Sequence, residues 1–193
     1  MGEIPAALAS RPRPCEMKGM IQLKPKTLQR IRDHLLEVGQ PPSVHFMRAA
    51  AEDDPFHGDV DAKRRFEALF EAMYLMVVVD GEVADAEREV LRGAVRGLTD
   101  GAVRTVHIQK LFEQCDGLVG QGVEKRVAAI APVLKEDPAL TEAAFSLASA
   151  IAFADEEIRD EENELINSLA DALELDATAA DALLNQLEED SSE

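Results

Sequence analysis

The feature that most limits the fold of this chain is an internal repeat. Asp155 stands 75 residues after Asp80, and at that one offset several identities align without a gap. Glu67 falls on Glu142, Phe70 on Phe145, Glu82 on Glu157, Asp85 on Asp160, Glu87 on Glu162, Glu89 on Glu164 and Leu98 on Leu173. The apolar face coincides as well, because Leu165, Ile166, Leu169, Ala170 and Leu173 repeat the spacing of Val90, Leu91, Ala94, Val95 and Leu98. Those spacings of three and four belong to helices. A unit of helix, acidic turn and helix that occurs twice predicts a closed, pseudo-symmetric domain, since an open solenoid needs more copies.

The rest of the chain reads as helices of the same kind. The first is expected from Lys26 to Val38, where Ile31, Leu35 and Val38 share a face and Gly39, Pro41 and Pro42 follow. A linker then runs to Asp61, with a short helical piece from His45 to Ala51. Asp61, Asp85, Asp137, Asp160 and Asp176 are expected as helix N-caps, with Pro138 in a first turn. Two more helices are expected at 100–115 and 122–136, the second bent or interrupted at Pro132, and Gly117, Gly120 and Gly122 read as the connection between them. The fold class predicted is an all-α bundle of about seven helices in two pseudo-symmetric halves, plus an N-terminal helical extension. Residues 1–25 form a flexible tail, 26–60 the N-terminal helix and linker, and 61–190 the repeated domain. Phe70, Met73 and Met76 read as core filling.

Composition removes several function classes. Aromatic residues are only 4% of the chain and there is no Trp, so platforms for stacking bases are scarce. The net charge of −18 repels phosphate backbones and anionic membrane surfaces, which excludes nucleic acid as a partner. Residues 136–193 hold eighteen acidic side chains and one basic one, so the imbalance lies on the second half, where it favours cations or a basic partner. No run of about 20 apolar residues is present for membrane insertion. Two cysteines, Cys15 and Cys115, with no CxxC pair argue against a disulfide framework or structural zinc and for a cytoplasmic setting.

The residues able to carry chemistry stand in the two turns. Asp80-Gly81-Glu82-Val83-Ala84-Asp85-Ala86-Glu87 and Asp155-Glu156-Glu157-Ile158-Arg159-Asp160-Glu161-Glu162 each hold four or more carboxylates. Carboxylate oxygens are the ligands that hard cations such as Ca²⁺ and Mg²⁺ prefer. Neither turn is an EF-hand, because the twelfth position is Leu91 in one and Ile166 in the other. Asp85, Asp160, Glu87 and Glu162 are explained by capping and the helix dipole. Asp80, Glu82, Asp155 and Glu157 precede the caps, and they are the candidate metal ligands.

The run from Leu75 to Val83 with Asp85, Glu87 and Leu91, and its echo from Ala150 to Ile158 with Glu162, resembles the TerB-like tellurite-resistance family over about residues 61–190. The resemblance implies an all-helical domain of seven or so helices in two pseudo-symmetric halves, with an acidic cluster tied to metal binding. It also implies a place in bacterial tellurite and stress-response systems. A similar domain occurs in the cytosolic part of a membrane-anchored DnaJ-like co-chaperone, where it serves self-association. The second copy departs from the motif in carrying Glu156 where glycine is usual.

Enzyme signatures are weak. His34, His45, His57 and His107 form no HExxH and none follows a Glu by three residues. There is no GxSxG elbow and no phosphate loop. A hydrolase built on a metal held by the acids lacks a nameable base or nucleophile. The function expected is therefore a non-catalytic cytoplasmic module whose acidic turns take a divalent cation (Ca²⁺ or Mg²⁺) or a basic protein partner. The alternative is a protein-interaction domain, a homodimer, without metal binding.

Overall fold

The computed structural model describes residues 23–48, 54–79, 81, 85–153 and 159–192. They form eight helices: α1 (Pro25–Val38), α2 (Val60–Val78), α3 (Asp85–Leu98), α4 (Thr105–Val119), α5 (Val123–Leu134), α6 (Pro138–Ala152), α7 (Asp160–Ala172) and α8 (Ala177–Ser192). A short 3-10 turn spans Phe46–Arg48, where the sequence predicts a helical piece. No strand occurs among the described residues, so the all-α expectation holds.

Two helices sit at the centre because their sequences are apolar all round. Every residue of α2 from Ala68 to Val78 is buried, and in α6 only Pro138 and Glu142 are not. These two make the most extensive helix–helix contact in the molecule. Helices with one apolar stripe pack around them. Leu91, Ala94, Val95 and Leu98 of α3, and Leu165, Ile166, Leu169 and Ala170 of α7, are buried as the repeat predicts.

The contacts obey the repeat more fully than the sequence does. α3 and α4 pack on α2 as α7 and α8 pack on α6. The N-terminal helix, set beside the repeat on sequence alone, enters the same scheme. α1 packs on α3 and α6, and α5 packs on α7 and α2. Buried Leu28, Ile31 and Leu35 of α1 match buried Val127, Ile130 and Leu134 of α5 at one constant offset. Each half is therefore four helices, α1–α4 and α5–α8, and each lends its first helix to the other half's centre.

Several boundaries differ from expectation for local reasons. Asp59, not Asp61, caps α2, since its Oδ1 accepts the amides of Asp61 and Ala62 at 3.1 and 2.9 Å. Helix α4 begins at Thr105 rather than near 100, because 99–104 are used to close α3: Gly101, in the left-handed region, donates its amide to Arg96 at 2.8 Å. Gly117 consequently lies inside α4, and only Gly120 and Gly122 connect it to α5. Pro132 stands in the last turn of α5, which continues through it to Leu134. Arg159 holds the cap position of α7 and Asp160 is its first helical residue. There Glu162 accepts the Arg159 amide at 2.8 Å and three acids fill the first turn. Asp137 and Asp176 cap α6 and α8 as expected, accepting the amides of Ala139 and Ala179.

Candidate functional site

The candidate segments follow α2 and α6 in the chain, and these two helices are held at their N-terminal ends. Asp59 caps α2 and lies 3.0 Å from His45 Nδ1. Asp137, fully buried, caps α6 while also accepting the Gln40 amide at 2.8 Å and the Ser43 hydroxyl. Across the gap, Glu136 accepts from Arg64 at 2.9 Å and from Arg65 at 3.1 Å. The N-terminal ends of the two central helices are thus tied side by side. Two helices that start together and stay in extensive contact run in the same direction, so α2 and α6 end on the same side of the bundle.

Helix α1 runs against them. His34, in its second half, lies 3.1 Å from Glu142 near the start of α6. Leu23, at its entrance, packs with Phe153 and Leu184 around Ala150 and Leu187. The side where α2 and α6 end is therefore also where α1 begins.

Beyond Val78 the chain turns sharply. The Gly81 amide donates to the Val78 carbonyl at 3.0 Å, and Gly81 has φ +81°, a conformation that disfavours any side chain. A glycine in this conformation suits a helix exit. The candidate ligands Asp80, Glu82, Asp155 and Glu157 lie outside the described residues, as does Glu156. Helix α3 starts at Asp85, directly after the first of these segments, and α7 at Asp160, directly after the second. Among the described residues no group of three or more His, Cys, Asp or Glu side chains is poised to hold a metal ion.

Polar contacts that the sequence reading missed fasten the outer helices to α2. Glu71, an acid inside an apolar run, accepts two bonds from Arg126 of α5, at 2.5 and 2.9 Å, and both side chains are largely buried. The pairing holds the guanidinium proton still more firmly than usual. Three residues on, the Tyr74 hydroxyl donates to Asp116 of α4, and Arg88 of α3 reaches the same carboxylate at 2.9 Å. Burial, followed by that bond to Asp116, pushes the Tyr74 phenol well above its ordinary range. Arg88 and Arg92 lie over the Phe112 ring, 5.1 and 5.3 Å from its centroid. The signal available in sequence was Glu71 itself, since a carboxylate in a buried helix requires a partner.

Cys115 lies away from solvent. It is buried in α4, and burial first, with Glu71 and Asp116 nearby, pushes its thiol up to about 12. Phe70, Met73 and Met76 are core, as expected. No helix among the described residues is long and apolar enough to cross a membrane.

No curated protein and no solved structure matches the chain. The family model described as tellurite resistance protein TerB matches residues 66–185, from within α2 to within α8. That match covers more than half of the chain, and the protein belongs to the TerB tellurite-resistance family.

Proposed function

We propose that this chain is a non-catalytic, cytoplasmic module of a bacterial tellurite or stress response. In it Asp80, Glu82, Asp155 and Glu157 bind one divalent cation, Ca²⁺ or Mg²⁺. Membership of the TerB family supports the setting. The observation that carries the site is the common direction of α2 and α6, whose described ends, Val78 and Ala152, fall on one side of the bundle. On this reading acids of both halves are assigned to a single ion, because several oxygens are what a hard cation needs.

Calorimetric titration of the chelator-treated chain with Ca²⁺ and with Mg²⁺ tests the reading. One saturable site per chain is expected, lost on Asp80→Asn together with Asp155→Asn. Heats that never saturate, or that survive the substitutions, reject it.

A second reading, a protein-interaction module with a basic partner, is favoured by the eighteen acids against one base in residues 136–193. It requires no metal, and its association should weaken steeply with added salt.

A further inference from the structure

The two halves differ at the seam between their first and third helices. Between α5 and α7 the seam is closed, with Val127, Ala131, Leu165 and Leu169 all at most 4% exposed. The matching positions between α1 and α3 are Leu28, Arg32, Val90 and Ala94; Leu28 and Ala94 are buried, and the seam opens at Val90. Val90 is 36% exposed although its counterpart Leu165 is buried. Gly93 stands where the second half has Ser168, and a Cβ there would meet nothing within 4 Å, whereas at Gly97 a Cβ would collide with Leu28 and the two helices are in close contact. The result is an open groove of about 670 Å³ with an apolar floor of Leu28, Val90 and Ala94.

The chain enters α1 at the rim of this groove, for Leu23 and Pro25 line it. Immediately before Leu23 the sequence reads Met17-Lys18-Gly19-Met20-Ile21-Gln22, with three large apolar side chains and a glycine. We propose that Met17–Ile21 occupy the groove between α1 and α3 and close it as the second half closes its own. The length suffices: the five residues span up to about 17 Å when extended, and the floor from Val90 to Gly97 runs about 10 Å along the helix. Only Gln22 separates the segment from the rim, so the occupant is held at high effective concentration. The inference concerns the α1–α3 face and does not depend on cation binding.

Trypsin reads the contact directly in the full chain. Arg11, Arg13 and Lys24 each precede proline, which blocks cleavage, so Lys18–Gly19 is the one susceptible bond in residues 1–25. Under native conditions that bond should be cut at least about tenfold more slowly in the parent chain than in Val90→Glu or Gly93→Leu, since cleavage tracks the open population. Val90→Glu puts a charge on the floor and Gly93→Leu fills the groove. Both positions have free space, and helical circular dichroism with an unchanged melting temperature confirms the fold of each variant. Equal cleavage in parent and both folded variants overturns the proposal. Protection that grows with protein concentration assigns the groove to a second copy of the chain and overturns it equally.

Discussion

Truncating Ile31 to Ala is the sharpest test of the four-helix halves, because the family match begins only at residue 66 and leaves α1 out. Ile31 is 2% exposed and belongs to the same core cluster as Leu69, Leu91 and Leu140. Removing its outer carbons leaves a cavity walled by helices that have no freedom to close it, and such losses run at about 2–5 kcal/mol. Taking about 3 kcal/mol, the cost is a large share of the roughly 5–15 kcal/mol that holds a domain together. For a chain of this length each kcal/mol lowers the melting temperature by about 2–4 °C, so the fall should be roughly 6–12 °C. Urea unfolding followed by far-ultraviolet circular dichroism should show one transition with a lower midpoint and an unchanged slope. Val38→Ala, at an exposed position on the same helix, should stay within about 0.5 kcal/mol of the parent. A loss below about 1 kcal/mol for Ile31→Ala, or an early separate transition of α1, would refute the placement of α1 in the shared core.

Other perturbations test the polar contacts. Arg126→Ala leaves the Glu71 carboxylate largely buried without its partner and should cost about 3 kcal/mol; adding Glu71→Ser and changing Arg126 to Thr instead, the residue types at the matching Ser146 and Thr27, should recover most of the loss in urea unfolding. In a Cys15→Ser chain, Cys115 should react with a thiol reagent at pH 8 far more slowly when native than when unfolded, because its thiol is buried and pushed up to about 12; equal rates would contradict the packing of α4. Asp59 is held below its ordinary 3.8, chiefly by the Ala62 amide and then by His45. Depressed carboxylates contribute fully above their unfolded pKa and lose that contribution as pH falls through the folded one. Stability should therefore drop on acidification below about pH 4, and less steeply in Asp59→Asn, which keeps a cap but has no charge to lose.

How much of this was legible beforehand depended on whether the cause was local. Helices α2, α3, α6 and α7 were readable because their apolar spacing and the 75-residue offset both lie in short stretches of sequence. Caps were half readable: nothing nearby distinguishes Asp59 from Asp61 until the first turn closes on one of them. The early start assigned to α4 failed because Thr99 and Gly101 serve the exit of α3, through bonds to Val95 and Arg96. The docking of α1 was hidden, since its partners α3 and α6 are remote in sequence and periodicity names a face without naming what covers it. Arg126 was hidden for the same reason, although Glu71 announced that something must answer it. The four candidate ligands were found from residue type and spacing alone, and they lie outside the described residues.

Thermal unfolding with added Ca²⁺ or Mg²⁺ on the parent chain, on Asp80→Asn alone and on Asp155→Asn alone tests most directly whether the two halves build one site. A shared site predicts a saturable rise for the parent with one of the ions, about 2.7 kcal/mol at a hundredfold excess over the dissociation constant, or roughly 5–11 °C. Either single substitution should then abolish it. A rise that both ions produce alike, that does not saturate and that survives each substitution would mean screening of an acidic surface, and would contradict a shared site.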